Sequence, residues 1–388
     1  MLRFLTAGES HGSALIAILE GMPAGLELSP ADFEKDLARR QQGYGSGPRM
    51  KLEADAAEII AGVMEGKTTG APIALRIRNR DHANWKGKAV DPMTIPRPGH
   101  ADLTAAAKYG YRDLRYSLER ASARETASRV AVGSICRKLL TQFDLRVGSY
   151  VIQIGKARAE FRNLDLKTRF ENSEMNSLRC PDEQSFQKME TEIRQAIVAK
   201  DTLGGIFEVI ASNVPIGLGS HVHWDRRLST ELAAALMSIP AIKGIEIGDG
   251  FGYADQRGSE AHDAILLSDG ELARPTNHAG GLEGGITNGQ PIILRAVMKP
   301  LSTTLQPQRS VNLAEGIAAE TEYERSDFCA VPRAAIVAEA MVAFVIARAL
   351  LRKLGGDSLT EIRSRFNLST KPKLSEFDLH DEASTFWE

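Results

Sequence analysis

The stretch 332–355, PRAAIVAEAMVAFVIARALLRKLG, is the most apolar part of the chain and decides the fold class. Apolar residues fall on almost every side of the helix that this stretch predicts, and such a helix has to be covered on several sides. Its apolar run from Ala334 to Leu351 is interrupted by Glu339 and Arg348, which favours a buried helix over a membrane span. We therefore expect sheets or other helices to pack around this segment.

Helix and strand patterns alternate along the rest of the chain. Three more helices are predicted from their end residues: Ser29–Gln42, which opens with Ser-Pro-Ala-Asp; Ser122–Phe143, which opens with the capping-box pattern Ser-Ala-Arg-Glu; and Asp225–Ile239, which ends before a proline. Runs rich in Val, Ile or Leu predict strands at Leu15–Leu19, Ile73–Ile77, Val147–Ile154, Gly205–Ser212 and Pro291–Met298. Because the elements form no regular βαβ repeat, and no strand leads into a Gly-x-Gly-x-x-Gly helix, the predicted class is α+β.

The composition is that of an ordinary soluble globular protein. With 43% hydrophobic and 25% charged residues among 388, it excludes collagenous, coiled-coil and wholly disordered chains. Lys and Arg (48) nearly balance Asp and Glu (50), so no overall field recruits nucleic acid or an anionic membrane, and we expect neither as a partner. Cys136, Cys180 and Cys329 are too scattered for a disulfide framework, and the opening MLRFLTAGESHG lacks the apolar core of a signal peptide. These features predict a protein of the reducing cytoplasm.

Arginine, glycine and histidine accumulate in short, loop-like segments. These segments are GESHG at 8–12, RRQQGYGSGPR at 39–49, RPGHAD at 97–102, RASARET at 120–126, NHAGGLEGGI at 277–286, KPLSTT at 299–304 and ERSD at 324–327. Guanidinium forks, a capped helix N-terminus and glycine backbone all suit phosphate or carboxylate groups, while turns, flexible loops and ordinary helix capping are the alternative interpretations. Together the segments predict a binder of phosphate-bearing small molecules, with His11 and His100 available for proton transfer.

Other chemistries find little support in the sequence. His221, His223 and Asp225 alternate like metal ligands, but no fourth partner stands nearby, so we expect a structural or incidental role and no metal site. None of the cysteines lies in a marked electropositive loop, and no strand–turn–helix elbow for a serine nucleophile is predicted. Composition and spacing therefore indicate phosphate binding without naming a reaction.

Eight segments, in the same order along the chain, resemble those of the chorismate synthase family. They are GESHG at 8–12, RRQQGYG at 39–45, RPGHAD at 97–102, RASARETASR at 120–129, KGIEIGDGF at 243–251, NHAGGLEGGITNGQ at 277–290, KPLSTT at 299–304 and RSDFCAVPRAAIVAEAM at 325–341. Each segment alone is modest evidence, whereas eight in register are highly specific. The resemblance covers about residues 1–365 and leaves out the polar segment that follows.

The resemblance implies both an activity and an architecture. Members of the family convert 5-enolpyruvylshikimate 3-phosphate into chorismate and phosphate by a 1,4-anti elimination, the last step of the shikimate pathway toward the aromatic amino acids. They need reduced FMN (FMNH2). The implied fold is a β-α-β sandwich, with long central helices between two antiparallel sheets, in a protein that is usually a homotetramer. We accordingly expect one domain over 1–365, followed by a polar, mobile tail over 366–388.

The family's site residues carry over to numbered positions of this sequence. His11 matches the histidine beside the substrate phosphate, His100 the histidine beside the flavin pyrimidine edge, and Asp327 the carboxylate linked to proton removal at flavin N5. Besides His11, the positions that match substrate contacts are Arg40, Arg49, Arg97, Arg124 and Arg325. The positions that match flavin contacts are Arg120, Ala121, Ser122, Pro240, Ala241, Gly284, Lys299, Pro300, Leu301, Ser302, Thr303 and Arg325.

One position departs from the family pattern. Ser46 stands where the family often has arginine, as in GYGRG, so one substrate contact is lost or taken over by Arg49.

Two other functions have to be separated from this one. An NADPH-linked flavin reductase using the same pocket would oxidise NADPH without the shikimate substrate, and a non-catalytic flavin- or phosphometabolite-binding protein would bind without elimination. The source of reduced flavin is open between NADPH oxidised by this protein and an external donor.

Overall fold

The computed structural model describes residues 1–45, 54–161, 163–268, 271–324 and 326–367, and also 377 and 379. Its strands, in chain order, are β1 (Arg3–Ala7), β2 (Ala14–Glu20), β3 (Ala57–Ala61), β4 (Val63–Met64), β5 (Lys67–Thr68), β6 (Ile73–Arg78), β7 (Arg146–Ile154), β8 (Ala157–Arg158), β9 (Gly205–Ser212), β10 (Ile242–Ile247), β11 (Leu266–Ser268), β12 (Glu271–Ala273), β13 (Leu282–Glu283), β14 (Ile286–Thr287), β15 (Ile292–Met298), β16 (Arg309–Asn312) and β17 (Ile317–Glu320). Its α-helices are α1 (Ala31–Gln41), α2 (His82–Trp85), α3 (Asp102–Tyr109), α4 (Arg115–Ala121), α5 (Thr126–Thr141), α6 (Leu166–Glu174), α7 (Glu183–Val198), α8 (Leu228–Met237), α9 (Gly258–Ala261), α10 (Val331–Leu354) and α11 (Leu359–Asn367).

Two larger sheets, each antiparallel throughout, carry the fold. The first has the strand order β1-β2-β6-β3, and the second has the order β10-β15-β9-β7-β8. In β2 the buried positions alternate at Leu15, Ala17 and Leu19, because one face of the first sheet lies on the core. The remaining strands form the hairpins β4–β5, β11–β12, β13–β14 and β16–β17. The observed class is α+β, as predicted.

Helices α5 and α10 connect the two sheets through the core. α5 packs against β2 and β6 of the first sheet, α10 packs against β7 and β9 of the second, and the two helices pack on each other. They approach closely where Gly133 of α5 faces Ala340 of α10. By length and mean hydropathy (2.1) α10 could cross a membrane, but 89% of its most apolar window is buried inside the protein. The prediction of a covered helix is confirmed.

Glu339, the acidic residue inside this apolar helix, is fully buried and fully paired. Its carboxylate accepts hydrogen bonds from three arginines and one serine, namely Arg39, Arg137, Arg179 and Ser149. Burial acts to raise the pKa of Glu339, but the attraction of the three guanidiniums outweighs burial and holds the pKa below its usual value. The network ties α10 to α1, α5 and β7.

The predicted helices and strands are confirmed, with differences at helix starts. The five predicted strands correspond to β2, β6, β7, β9 and β15, and the four predicted helices correspond to α1, α5, α8 and α10. The segment after Ser122 opens with a 3-10 turn, in which the Ser122 hydroxyl accepts from the N–H of Arg124. The expected capping box is incomplete there, because Glu125 bonds with Thr6 and Arg129 instead of reaching back. The α-helix therefore begins only at Thr126.

The caps of two other helices also differ from the prediction. At α1 the carboxylate of Asp32 accepts from both the backbone N–H and the hydroxyl of Ser29, so the acid supplies the acceptor. The segment predicted from Asp225 contains a 3-10 turn over 224–226, and its α-helix, α8, begins at Leu228. Both differences concern which side chain satisfies the first backbone donors, and they leave the helices in place.

The C-terminal helix α11 reaches into the segment predicted as a tail. It runs to Asn367, and the ring of Phe366 lies 4.9 Å from that of Phe143 at the end of α5. Apart from 377 and 379, the predicted tail beyond this helix lies outside the described residues.

Candidate active site

The loop 8–13 between β1 and β2 fixes His11 against two neighbouring segments. The imidazole Nδ1 lies 2.6 Å from Oε1 of Glu119, and the backbone N–H of His11 donates to Oε2 of the same carboxylate at 2.7 Å. The imidazole packs on Trp85 with 4.3 Å between ring centroids, and its Nε2 lies 3.9 Å from the carboxylate of Asp81. The orientation of the ring is thus set by contacts at one edge and on one face.

Arg40 and Arg124 share one buried carboxylate beside this loop. Arg40 donates to Asp55 at 3.1 Å, and Arg124 forms an ion pair with the other oxygen of Asp55. All three side chains are at most 5% exposed. Arg40 also donates to the hydroxyl of Thr126 and to the backbone carbonyl of Ala123, which lie where α5 begins. The two guanidiniums are therefore fixed against the start of a core helix.

Asn79, directly after β6, connects Arg124 to the His11 loop. Its Oδ1 accepts from Nε of Arg124 at 2.8 Å, and its Nδ2 donates to the backbone carbonyls of Glu9 and Gly12 at 3.0 and 2.8 Å. Its backbone N–H donates to the carbonyl of Ser13 at 3.1 Å. One amide side chain therefore fixes the position of a guanidinium relative to the loop that carries His11.

Asp327 and Arg333 complete the same cluster from the N-terminal end of α10. The two side chains form an ion pair, and Nε and Nη2 of Arg333 are buried without a hydrogen-bond partner in the described part of the chain. Burial lowers the pKa of Arg333 although Asp327 opposes this. Burial, opposed by Asp55 and assisted by the guanidiniums of Arg124 and Arg333, lowers the pKa of Arg40 to about 10. The charged form of these arginines is therefore under strain from desolvation and from its neighbours.

Around Arg40, Arg124 and Arg333, three guanidiniums meet two carboxylates, Asp55 and Asp327, among the described residues, while the carboxylates of Glu119 and Asp81 lie at His11. We call this region the His11–Arg124 cluster, and its members are His11, Arg40, Asp55, Asn79, Arg124, Asp327 and Arg333. It contains three guanidiniums and two carboxylates, all mostly removed from water. Because an uncompensated buried charge is costly, a bound anion would stabilise the cluster. Guanidiniums are the side chains best suited to bind phosphate or carboxylate groups.

His100 belongs to a second cluster, which Asp102 organises. Nδ1 of His100 lies 2.5 Å from Oδ1 of Asp102, and Arg97 donates to both oxygens of that carboxylate at 2.8 and 3.0 Å. Arg97 also donates to the hydroxyl of Thr303 at 3.2 Å. Burial acts to raise the pKa of Asp102, but hydrogen bonds from His100 and Arg97 hold it well below its usual range. One ionised carboxylate therefore orients a histidine and an arginine together.

Lys299 connects this second cluster to the segment before β10. Its Nζ donates to the backbone carbonyl of Gly99 at 2.9 Å, and its backbone N–H donates to that of Ala241 at 3.0 Å. Burial and the neighbouring Lys243 lower the pKa of Lys299. Ala241 has a φ of 68°, in the left-handed region that non-glycine residues rarely adopt. Three distant segments of the chain meet here, and we call Arg97, His100, Asp102, Lys299 and Thr303 the His100–Lys299 cluster.

Ser122 and Arg120 lie beside the first cluster. The hydroxyls of Ser122 and Ser10 are 3.0 Å apart, and the side chain of Arg120, about half exposed, donates to the carbonyl and hydroxyl of Thr6. The letters GESHG around Ser10 match Gly-x-Ser-x-Gly, but this loop joins two antiparallel strands. It is therefore no strand–turn–helix elbow of the kind that exposes a nucleophilic serine.

Other predicted positions are at the margin of these clusters or outside the described residues. The carbonyl of Leu301, near Lys299 in sequence, accepts from the hydroxyl of Thr202. Gly284 lies in the turn of the β13–β14 hairpin beside His221, away from both clusters in the contacts of the described chain. The predicted contacts Arg49 and Arg325, and the unusual Ser46, fall outside the described residues.

Five side chains of the site were missed by the sequence analysis. They are Asp55, Asn79, Asp102, Glu119 and Arg333. Asp102 and Arg333 stand inside segments that carry the family resemblance, and Glu119 directly precedes one, so an acid or arginine next to a predicted site residue was the available clue. Asp55 and Asn79 stand outside every such segment and became visible only through their contacts.

The remaining candidates from the sequence behave as simple structural residues. His223 pairs with Asp225 at 2.6 Å, and both side chains are more than half exposed. Among the described residues no group of three or more potential ligands could bind a metal ion. All three cysteines are buried, and burial raises the pKa of Cys180 and of Cys329 to about 12. A reactive thiolate is therefore disfavoured at neutral pH.

Comparison with known proteins assigns the chain to a family. The family model described as chorismate synthase matches residues 2–351. The chorismate synthase of Aquifex aeolicus (strain VF5) is 51% identical over 383 residues, which cover 94% of this chain and 96% of that protein. That of Geobacter sulfurreducens is 51% identical over 384 residues, covering 94% of this chain and 98% of its own. A solved structure described as "Crystal Structure of Chorismate Synthase" is 45% identical, with a TM-score of 0.78, and covers 95% of this chain and 97% of its own.

These matches define first a class and then a family. The class is that of the carbon–oxygen lyases. The chain belongs to the chorismate synthase family, and the resemblance seen in eight segments of the sequence is confirmed. The alternative of an NADPH-linked flavin reductase is not favoured by these matches.

Proposed function

We propose that this chain eliminates phosphate from 5-enolpyruvylshikimate 3-phosphate to form chorismate, the last step of the shikimate pathway. The observation that carries the proposal is the excess of buried guanidiniums in the His11–Arg124 cluster. A substrate with one phosphate and two carboxylates supplies the negative charge that this cluster lacks. Elimination of a phosphate group also needs cations around the departing oxygens, and the arginines provide them without moving.

Individual roles are proposed for residues of the two clusters and for their family counterparts. Arg40 and Arg124, together with Arg97, Arg49 and Arg325, are the proposed contacts to its anionic groups. His11 is the proposed acid beside the leaving phosphate, since Glu119 and Trp85 fix its ring and Asn79 links its loop to Arg124. Asp327, paired with Arg333, is the proposed carboxylate for the later proton transfer.

Reduced FMN is the proposed cofactor, and the donor set of the His100–Lys299 cluster fits it. Lys299 offers a cation for the flavin phosphate, and the hydroxyls of Ser302 and Thr303 offer hydrogen bonds. When bound, the reduced flavin supplies the electron density and the proton acceptor that the elimination requires. His100, oriented by Asp102, is the proposed proton donor toward the flavin ring. Further proposed contacts are Arg120, Ala121, Ser122, Pro240, Ala241, Gly284, Pro300, Leu301 and Arg325.

An anaerobic turnover assay tests the function. Purified full chain is mixed with 5-enolpyruvylshikimate 3-phosphate and dithionite-reduced FMN, and both inorganic phosphate and chorismate are measured. Equal amounts of the two products are expected. Protein with the circular dichroism of a folded α+β chain that releases neither product would contradict the proposal.

Histidine variants test the proton-transfer roles. His11→Ala and His100→Ala should each lower turnover by more than about tenfold, toward the 10²–10⁴ range of general acid–base catalysis. His223→Ala is the matched control, because its ring also pairs with a carboxylate but lies exposed elsewhere. Turnover near that of the unchanged protein in either His11→Ala or His100→Ala would remove the role of that histidine.

NADPH is the proposed reductant of FMN in this protein, and the alternative is an external electron donor. In the same assay, oxidised FMN and NADPH replace dithionite, and NADPH oxidation is followed with and without substrate. Product formation would assign flavin reduction to this chain, and its absence beside a working dithionite assay would assign it to an external donor. NADPH oxidation without any elimination in either assay would instead support the flavin reductase.

We also propose the assembly and architecture of the family for this chain. Residues 1–365 would form one domain with a β-α-β sandwich fold that α11 extends to Asn367, and the rest of 366–388 would form a mobile tail. Limited proteolysis should then remove the tail and leave a stable fragment. The proposed form is a cytoplasmic homotetramer, so light scattering should give about four times the chain mass of 42.2 kDa.

A further inference from the structure

The carboxylate of Glu119 grips His11 at two points. One oxygen lies 2.6 Å from Nδ1 of the ring, and the other accepts the backbone N–H of the same residue at 2.7 Å. A single carboxylate therefore constrains both the backbone and the side-chain torsions of His11. The side chains of His11 and Glu119 are only 13% and 15% exposed, so water competes little for these bonds.

Further contacts keep the loop and α4 in a fixed relation. The backbone N–H of Ser10 donates to the backbone carbonyl of Glu119 at 3.0 Å. On the other side, Nδ1 of His82 lies 2.9 Å from the backbone carbonyl of His11, and the indole of Trp85 covers the imidazole face. Glu119 is thus fixed by its own helix and by the loop whose histidine it contacts.

The chemistry of this contact determines which ring nitrogen exchanges protons. An ionised carboxylate only accepts hydrogen bonds, so Nδ1 of His11 must carry the proton that points at Glu119. The proton that the ring transfers then sits on Nε2. The carboxylate of Asp81 lies 3.9 Å from Nε2, beyond hydrogen-bond distance, whereas Nδ1 and Glu119 are 2.6 Å apart.

We propose that Glu119 is a positioning residue that fixes the orientation and the tautomer of His11, so that Nε2 faces the departing phosphate. The proposal rests on the proposed function, because it gives His11 the role of acid. Glu119 acts only through His11 and touches neither substrate nor cofactor. A carboxylate behind a histidine serves the same purpose in catalytic triads and at metal sites.

A double-mutant cycle in the anaerobic assay tests this dependence. Glu119→Ala should lower turnover at least about tenfold, within the range seen when such supporting partners are removed. Glu119→Gln should lose less turnover than Glu119→Ala, because its amide oxygen can still accept from Nδ1. Some loss should remain, because its NH2 group cannot accept the hydrogen bond from the backbone N–H of His11. In the His11→Ala background, Glu119→Ala should cause no further loss. Glu34→Ala, which removes an exposed carboxylate of α1 outside both clusters, is the matched control and should keep full turnover.

Two outcomes would overturn the proposal. One is an equal fold-loss from Glu119→Ala in both backgrounds, which would mean that Glu119 acts on the fold and not through His11. The other comes from a crystal structure of ligand-free Glu119→Ala, where we expect the His11 ring to leave its present position; an unmoved ring would remove the positioning role. Full turnover of His11→Ala would instead contradict the proposed function of His11, and the crystal structure would still decide whether Glu119 orients the ring.

Discussion

Gly133→Ala should destabilise the protein, although alanine is the better helix former. Gly133 lies inside α5, at the point where that helix crosses α10. A Cβ at this position would lie 2.2 Å from Cβ of Ala340, 2.5 Å from its Cα and 3.0 Å from its carbonyl carbon. These neighbours belong to the backbone or are fixed to it, so no side-chain rotation can relieve the contact.

The magnitude follows from two opposing terms. Carbon atoms in contact are ordinarily about 3.5–4.0 Å apart, so the two helices must separate by roughly 1 Å or more. Overpacking of this kind costs about 1–3 kcal/mol, and the upper end applies because backbone has to move. Replacing glycine by alanine inside a helix returns about 1 kcal/mol. We therefore expect a net loss of about 2 kcal/mol in the free energy of unfolding.

Urea unfolding followed by far-UV circular dichroism, at one fixed protein concentration, measures this loss. Gly258→Ala is the matched control, because no described residue beyond its chain neighbours lies within 4 Å of its added Cβ and its backbone is not in the left-handed region. It should leave the urea midpoint unchanged or raise it slightly. If Gly133→Ala unfolds at the same or a higher urea concentration than the unchanged chain, the close crossing of α5 and α10 is refuted.

Three further predictions concern the charged networks. Glu339→Gln should lower the free energy of unfolding in urea by about 3–5 kcal/mol, as breaking a buried ion pair does. Because the pKa of Glu339 in the folded protein is held below its ordinary 4.5, the stabilisation by this carboxylate is fully present above about pH 4.5. The urea midpoints of the variant and of the unchanged chain should therefore converge as the pH falls below 4.5. Because the pKa of Lys299 is lowered from 10.5, FMN affinity measured by flavin fluorescence should weaken as the pH rises toward that value, and Lys299→Arg should abolish the weakening. The proposed substrate, 5-enolpyruvylshikimate 3-phosphate, at about 100 times its dissociation constant should stabilise the unchanged chain by about 2.7 kcal/mol in thermal unfolding. At the same substrate concentration, Arg124→Ala should lose most of that stabilisation.

The central elements of the fold could be predicted because their own residues encode them. α10 is apolar on almost every side, and β6, β9 and β15 are rich in branched apolar residues that suit strands with buried positions. The edge strands β1 and β3 were missed, since edge strands owe their conformation largely to the neighbour with which they pair. The helix α7 was also missed, although Met189, Ile193 and Ala196 repeat on one face of it. That omission was one of interpretation, because the pattern is present in the sequence.

The residues of the candidate site also differ in whether their own sequence segment predicts them. Residues within recognisable segments, such as His11 and Arg124, could be proposed from sequence. Their partners could not, because Glu119 lies 108 positions from His11 and Asp55 lies 69 positions from Arg124. Pairing of charged side chains over such distances depends on how sheets and helices pack, and local periodicity carries no record of it. The overall charge of −2 likewise concealed where the guanidiniums gather.

Two adjacent arginines of α1, Arg39 and Arg40, lie in different electrostatic surroundings. Arg39 enters the Glu339 network, whose three arginines (Arg39, Arg137, Arg179) face three acids (Asp36, Glu174, Glu339). Arg40 enters the His11–Arg124 cluster, where three guanidiniums face two carboxylates among the described residues. The pKa of Arg39 is raised and that of Arg40 is lowered, because only the first is surrounded by enough negative charge to offset burial. A balanced network has no electrostatic need of a ligand, whereas the unbalanced one attracts an anion more strongly because it is buried. The helix therefore places an arginine of a balanced network beside an arginine of the proposed binding cluster, and the number of acids around each distinguishes the two.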